Sequence, residues 1–318
     1  MGGYKNVAMN IHIDGAIFML QARGGVSTLW RNLTPALHAA LPDATFDADQ
    51  PPDVFLSTYY RPAPLGVPSV ALIYDLIALR YPGLPNAADA ADIRRAVREA
   101  TAVVSISQQT ADDVRTLLGR DSAVAYPGVD QDLGKVTPSS VQTFQSSIGK
   151  PYVLVIGRRG YYKNVQSIYQ AWLLWSGAAS HALVCIGGED SLPQDRAFAA
   201  RYDWRRLDLD NAHLASAYAG ATALVYPSIM EGFGLPIVEA MLCGCPVVCG
   251  AATYEVGWDA AIYTDVTLPI KIAGALDACL DPSYRIGKIT AGVERARSFT
   301  WAKMAETVAN VIRSVVNG

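Results

Sequence analysis

The chain is poor in charge. Only 17% of its 318 residues are Asp, Glu, Lys or Arg, while 51% are hydrophobic. The charged share lies below the ~25% of typical soluble domains, and the composition excludes an intrinsically disordered polymer. An excess of one sign is also missing: 26 basic residues face 29 acidic ones, for a net charge of −3. Neither half is a basic module, so the electrostatic footprint of a duplex-DNA or RNA binder is absent. No apolar run approaches the roughly 18 residues of a membrane span. The opening Met1-Gly2-Gly3-Tyr4-Lys5 lacks the charged-then-apolar build of an export signal. Asn6 stands where a myristoylation signal needs Ser or Thr. The four histidines, His12, His38, His181 and His213, are scattered and give no support to a Ser-His-Asp site. His12, in a strand pattern, reads as a core residue. Cysteine is sparse and odd in number, with Cys185, Cys243, Cys245, Cys249 and Cys279. That excludes a disulfide framework. Cys243-Gly-Cys245 has no second Cys or His pair at ligand spacing, so the cysteines read as buried, reduced small hydrophobes. The Gly-x-Gly-x-x-Gly dinucleotide fingerprint is missing as well.

What is present is alternation. Apolar runs at 7–13, 69–73, 101–106, 152–156, 182–186, 222–226 and 246–249 read as buried strands. Helical patterns fall at 89–100, 108–118, 165–175, 213–219, 236–243, 268–280 and 301–315. Leu29, Leu33 and Leu37 mark another helix face, where Pro35 implies a kink or an early stop. Strands alternating with helices imply parallel sheets with crossover helices. A length of 318 suggests two domains. The polar stretch 130–150, rich in Ser, Gly and Gln, reads as the linker between them.

Three segments can carry chemistry. In Tyr226-Pro-Ser-Ile-Met-Glu231-Gly-Phe-Gly-Leu-Pro236-Ile-Val-Glu239 a strand ends, and a glycine loop leads to Pro236, at the position proline tolerates best in a helix. A helix N-terminus reached through glycines favours an anion. Glu231 and Glu239, on either side, would accept hydrogen bonds from hydroxyls. Phosphate flanked by hydroxyls at both ends describes a nucleotide-sugar. In the second segment, strand 152–156 runs into Gly157-Arg158-Arg159-Gly160-Tyr161-Tyr162-Lys163-Asn164. Three cations there stand at the sheet edge where ligands bind in such folds, and they can neutralise a diphosphate leaving group without a metal. The third, Arg23-Gly24-Gly25-Val26-Ser27, allows close backbone approach before a helix, though a plain turn reads equally well. Two Asp-x-Asp triplets, Asp47-Ala-Asp49 and Asp208-Leu-Asp210, are read as a loop and a helix cap, with no metal site. The cluster Arg94-Arg95-Val97-Arg98 is read as a solvated helix face over a lipid-headgroup contact.

Together these segments resemble the family 4 retaining glycosyltransferases. The likeness runs through Ile13-Asp14 with Gly24-Gly25-Val26, Tyr74-Asp75-Leu76 to Pro82, Ser105 to Thr110, Tyr126 to Asp130, Gly157 to Asn164, Gly187-Gly188, Glu231 to Pro236 with Glu239-Ala, and Phe299-Thr300-Trp301. The resemblance implies an α/β fold of the GT-B type: two Rossmann-like, doubly wound domains facing a central cleft. Residues 1–149 would form the acceptor-side domain and 150–300 the nucleotide-sugar-binding domain. Residues 301–318 would form a helix packing back on the first domain. It also implies roles. Arg158, Arg159 and Lys163 would hold the donor diphosphate, and Glu231 the transferred sugar. The amides of Gly232, Phe233, Gly234 and Leu235 would lie along the sugar and distal phosphate, and Glu239 would bind the ribose. Gly25 would approach the diphosphate from the other domain. The base would pack near Gly187, Gly188, Arg206 and Leu207, while Tyr74 and Asp75 would lie near the reacting centre.

Two departures stand out. Relatives often carry His where this chain has Tyr74, and Arg where it has Tyr162. The implied reaction is metal-independent hexosyl transfer with retention, in polysaccharide biosynthesis, from a nucleoside-diphosphate sugar (GDP-mannose first) to a glycan, lipid-linked or small-molecule acceptor. No cofactor and no nucleic acid are implied. The enzyme would be cytoplasmic, with at most weak peripheral contact at the inner face of the membrane. The alternatives are a degenerate nucleotide-sugar-binding protein and a nucleotide-sugar epimerase of the same fold.

Overall fold

The computed structural model describes residues 9–22, 24–83, 89–188 and 192–318. Met1 to Asn6, Arg23, and Val7 and Ala8 of the first expected strand lie outside the described residues. The chain divides into two compact units. One holds the chain up to Gly128 together with Thr300–Gly318, and the other holds Val129–Phe299.

The first unit is built on a parallel sheet of β1 (Ile11–Ile13), β2 (Val54–Ser57), β3 (Ser69–Ile73), β4 (Ala102–Ser105) and β5 (Ala123–Val124), in that spatial order. The edge beyond β1 is nearly bare. Among the described residues Thr45 alone pairs there: its N–H donates to the Met9 carbonyl, and its own carbonyl accepts from Ile11 N–H. The buried Asn10 side chain finishes that edge. Its amide donates to the carbonyls of Asp47, Gln50 and Pro51, and its Oδ1 accepts from Thr45 Oγ1 and Asp47 N–H. The chain therefore leaves β1 toward one edge and returns as β2 on the other, which makes the end of β1 a topological switch point. Helix Gly25–Ala40 runs on through Pro35 without an early stop. Leu29, Trp30, Leu33 and Leu37 are all buried, and that burial outweighs the lost N–H. Helix Trp301–Asn317 belongs to this unit and packs on Gly25–Ala40.

The second unit has a parallel sheet in the order β11-β10-β9-β6-β7-β8. Its strands are β6 (Tyr152–Ile156), β7 (Ala182–Ile186), β8 (Trp204–Leu207), β9 (Ala223–Tyr226), β10 (Val247–Cys249) and β11 (Ile262–Tyr263). Strands β6, β7 and β9 are almost wholly buried, as their unbroken apolar runs require. The order reverses between β6 and β9, so a crevice is expected beyond their carboxyl ends. The stretch 130–150 is no linker. It contains helix Pro138–Ile148, started by Thr137 and Pro138 and ended by Gly149 in the left-handed region. Phe144 and Ile148 are buried, and the helix packs on Asn211–Gly220. The boundary accordingly falls at Gly128/Val129 rather than at 149/150. All five cysteines are buried and unpaired. Burial pushes the Cys185, Cys243, Cys249 and Cys279 thiols up to about 12, so they stay protonated and inert.

Candidate functional site

The candidate site of the second unit lies at the carboxyl ends of β6, β7, β8 and β9. These ends are stepped. Gly157 N–H donates to the Ile186 carbonyl at 2.9 Å, and Gly187 N–H donates to the Leu207 carbonyl at 2.9 Å. Gly187 and Leu207, 20 residues apart in sequence, are thereby neighbours at the ends of β7 and β8. Gly157, Gly187 and Gly188 all have positive φ, with values of 92°, 67° and 74°. Asn164 ties the loop after β6 to the loop after β9. Its side-chain amide donates to the carbonyls of Pro227 and Val266, and Ile229 N–H donates to the Tyr162 carbonyl. Asn164 itself sits at φ 52°, a conformation Asn tolerates better than most residues.

Lys163 and Glu231, 68 residues apart, meet across this junction. Lys163 Nζ lies 2.5 Å from Glu231 Oε1, with the lysine side chain 17% and the carboxylate 9% exposed. Lys163 Nζ also donates to the Tyr226 hydroxyl at 3.2 Å, and it lies 5.2 Å from the ring centres of both Tyr162 and Tyr226. Burial, with the Glu231 carboxylate beside it, holds the Tyr226 phenol well above its usual range, so Tyr226 remains a neutral hydroxyl. Beyond Glu231, Gly234 at φ 101° turns the chain into helix Leu235–Leu242, whose N-terminus carries partial positive charge. Gly232 and Phe233 are buried. The Phe233 ring packs edge-on against Phe299 at 5.4 Å, so Phe233 can serve a ligand only through its backbone. Leu235 is half-buried. Glu239, one turn into the helix, accepts a 2.9 Å hydrogen bond from the Tyr218 hydroxyl. Burial raises the Glu239 carboxyl, and the Tyr218 bond partly opposes that. Arg158 is exposed at the same sheet end.

Two expectations are overturned. Arg159 is not a diphosphate ligand: its side chain is fully buried and ion-paired with Asp195 at 3.0 Å. Tyr74 does not present its hydroxyl to a ligand. It is 4% exposed, its hydroxyl donates to the Thr58 carbonyl at 2.7 Å, and it accepts from Trp30 Nε1 at 2.6 Å. Desolvation raises its phenol further, so it is a neutral core residue holding β3 to the turn after β2. Asp75, next to it, is half-buried and accepts from Ile77 N–H at 3.0 Å, starting the short helix Ile77–Arg80. Gly25 is the exposed first residue of its helix. At the switch point of the first unit, the Asp14 carboxylate accepts from Ala16 N–H, Ser57 Oγ, Thr58 N–H and Thr58 Oγ1.

The Asp-x-Asp triplets have local work. Asp47 accepts from Asp49 N–H and Gln50 Nε2, Asp208 pairs with Arg206, and Asp210 caps helix Asn211–Gly220. In the arginine cluster, Arg95 pairs with Asp92 and Arg98 with Glu99, while Val97 is buried. Tyr218, Tyr226 and Asp195 carry site contacts that the spacing of motifs does not announce. Only Asp195, three residues into a helix begun at Pro193, has a visible sequence signal, and that signal is for capping.

A parallel sheet whose switch point joins a lysine, a carboxylate and a glycine-led helix N-terminus defines a Rossmann-like unit with a place that favours an anion. Residues 150–280 match the family described as Glycosyl transferases group 1, in agreement with the glycosyltransferase resemblance read from the motifs. The chain is 34% identical over 173 residues to an O-antigen chain mannosyltransferase B of Escherichia coli, covering 51% of this chain and 45% of that protein. It is 31% identical over 157 residues to the O-antigen chain mannosyltransferase RfbU of Salmonella typhimurium, covering 46% and 44%. The chain thus spans less than half the length of these curated relatives. Among solved structures, sucrose-phosphate synthase from Thermosynechococcus elongatus superposes with a TM-score of 0.80 at 17% identity, over 98% of this chain and 99% of that one. Anabaena Alr3699/HepE, solved in complex with UDP-glucose, superposes at 0.75 and 17% identity, over 96% and 99%. These likenesses establish the fold class: two Rossmann-like α/β units of the glycosyltransferase GT-B type. Among the described residues no helix is long and apolar enough to cross a membrane.

Proposed function

We propose that the protein is a retaining hexosyltransferase that binds a nucleoside-diphosphate sugar in its second unit and transfers the sugar to a glycan, lipid-linked or small-molecule acceptor. The observation that carries this reading is the meeting of Lys163 with Glu231 at the switch point, beside the N-terminus of helix Leu235–Leu242. In this reading Lys163 and Arg158 hold the diphosphate, Glu231 accepts hydrogen bonds from the sugar hydroxyls, and Glu239 accepts from the ribose. Gly187 and Leu207 border the base. Because Lys163 and Glu231 already pair, arrival of a diphosphate gives the lysine a second anion and leaves the carboxylate available to hydroxyls.

In the reaction proposed, the bond from the anomeric carbon to the diphosphate oxygen breaks, and the acceptor oxygen bonds to the same face of that carbon. The departing phosphate oxygen takes the acceptor's proton. Glu231 orients the sugar and is not a proton acceptor. Two cations and a helix dipole supply the charge stabilisation of the leaving group, and a metal is not required. GDP-mannose is the first donor to try. The naming of the Escherichia coli and Salmonella relatives as mannosyltransferases supports it.

The test is thermal melting with GDP, UDP, ADP and dTDP in the absence of divalent cations. At least one raises the melting temperature. No shift with any of them, with or without Mg²⁺, refutes the site. With the donor so identified, NMR of the product decides the stereochemistry, and an inverted anomer refutes retention.

A further inference from the structure

Arg158 and Arg159 are adjacent, yet one is exposed and the other has no accessible side-chain surface. Arg159 Nε donates to Asp195 Oδ2 at 3.0 Å, and Nη1 donates to the Gly187 carbonyl at 2.9 Å. The guanidinium lies 5.7 Å from the centre of the Trp204 ring on β8. Asp195 is equally buried, and it accepts from the Tyr169 hydroxyl at 2.5 Å and from Leu192 N–H at 2.8 Å. One ion pair therefore reaches the loop after β6, the turn after β7, strand β8 and helix Pro193–Ala199. The turn closes tightly on it. A Cβ on Gly188 would stand 2.3 Å from the Gly157 carbonyl oxygen and 3.1 Å from Arg159 Nη1.

Stability alone is a weak reason for this arrangement. The desolvation penalty of a buried ion pair offsets much of its attraction, and apolar residues of similar volume often serve a fold equally well. What an apolar pair cannot supply is direction: a guanidinium fixes two acceptors in one plane. We propose that Arg159 is a positioning residue of the donor site. Paired with Asp195, it locks the loop 157–163 against the Gly187-Gly188 turn, so that Arg158 and Lys163 are preset for the diphosphate. The inference rests on the nucleoside-diphosphate reading given above.

The experiment uses the full chain, the tightest binder among GDP, UDP, ADP and dTDP, calorimetric titration, and thermal melting without ligand. Asp195→Leu alone leaves a buried cation without its partner and melts far below the parent. The double variant Arg159→Met/Asp195→Leu removes both charges at similar volume and melts well above Asp195→Leu, falling short of the parent only by the bonds that the Tyr169 hydroxyl, Leu192 N–H and the Gly187 carbonyl lose. Its dissociation constant for the nucleoside diphosphate nevertheless rises by about tenfold or more, because the loop must then be ordered at the expense of binding. Recovery of both melting temperature and affinity in the double variant overturns the proposal, because the pair is then only structural. If the double variant does not fold, Arg159→Lys decides. Its single ammonium can keep the Asp195 pair, but it lacks the fork that also serves Gly187, so weakened binding supports the proposal and parental binding overturns it. A parent that binds none of the four nucleotides refutes the site reading itself, which is a separate outcome from a parent and a double variant that bind alike.

Discussion

Gly188 offers a sharp test of how tightly the turn after β7 is built. In Gly188→Ala the new methyl would lie 2.3 Å from the Gly157 carbonyl oxygen and 3.0 Å from its carbon. Both are backbone atoms, and Gly157 is itself held by its bond to Ile186, so the neighbour cannot swing away as a flexible side chain would. The backbone at φ 74° adds a second penalty. Left-handed conformation in an L-residue costs about 1–2 kcal/mol, and forcing a methyl into a packed place costs about 1–3 kcal/mol. Together that is roughly 2–5 kcal/mol. For a unit of this size each kcal/mol lowers the melting temperature by about 2–4 °C, so the expected loss centres near roughly 10 °C. Gly187→Ala is the control. Its φ of 67° carries the same conformational penalty, but its Cβ meets nothing within 4 Å, so a loss of about 4 °C is expected. Differential scanning calorimetry of the two variants beside the parent reads both numbers. If the variants melt together, or Gly188→Ala melts with the parent, the interlocked turn described here is wrong.

Tyr74→Phe removes the partner of both Trp30 Nε1 and the Thr58 carbonyl, so a stability loss of about 1–3 kcal/mol is expected, with turnover retained. Lost turnover at an unchanged melting temperature would instead return Tyr74 to the active site. Glu239 has its folded-state carboxyl raised by burial, so the fold loses stability as pH rises from the unfolded value through the raised one. Glu239→Gln should therefore melt higher than the parent at neutral pH, lose that gain in acid, and bind the nucleoside diphosphate more weakly. Equal melting at neutral pH would refute the burial argument. Glu231→Ala should abolish sugar transfer while nucleotide binding largely survives, and near-full turnover in that variant would make Glu231 a structural charge.

Why some elements were legible and others not follows from burial. Strands β6 and β7 coincide with their apolar runs to the residue, because both faces are covered and every position must be apolar. Strand β8, Trp204-Arg-Arg-Leu, lies at a sheet edge with all four residues half-buried, so no apolar run marks it. Helix Pro138–Ile148 buries only Phe144 and Ile148, and its Ser-rich remainder read as linker. The signals that could have corrected this were Thr137, Pro138 and Gly149, in the order of a cap, a first-turn proline and a left-handed stop. In the site, glycine-rich turns and the two glutamates were legible because their chemistry is local to the chain. Partners brought by the fold from 36 or 68 residues away were not.

The loop after β6 shows where this limit lies. Its sequence supplies two adjacent arginines of identical chemistry, and nothing within the loop says which one faces solvent. Asp195 decides it: a carboxylate buried by its own helix needs a cation, and Arg159 is the one whose direction reaches it. The inward turn of Arg159 also bears on Tyr162, where the family resemblance implies an arginine. With Arg159 turned inward, the loop keeps two cations for an anion, Arg158 and Lys163. The phenol rings of Tyr162 and Tyr226, together with Glu231, hold the lysine in one place. A lysine immobilised before its ligand arrives has less side-chain entropy left to lose on binding, so in the function proposed above fewer charges, better fixed, can serve a diphosphate.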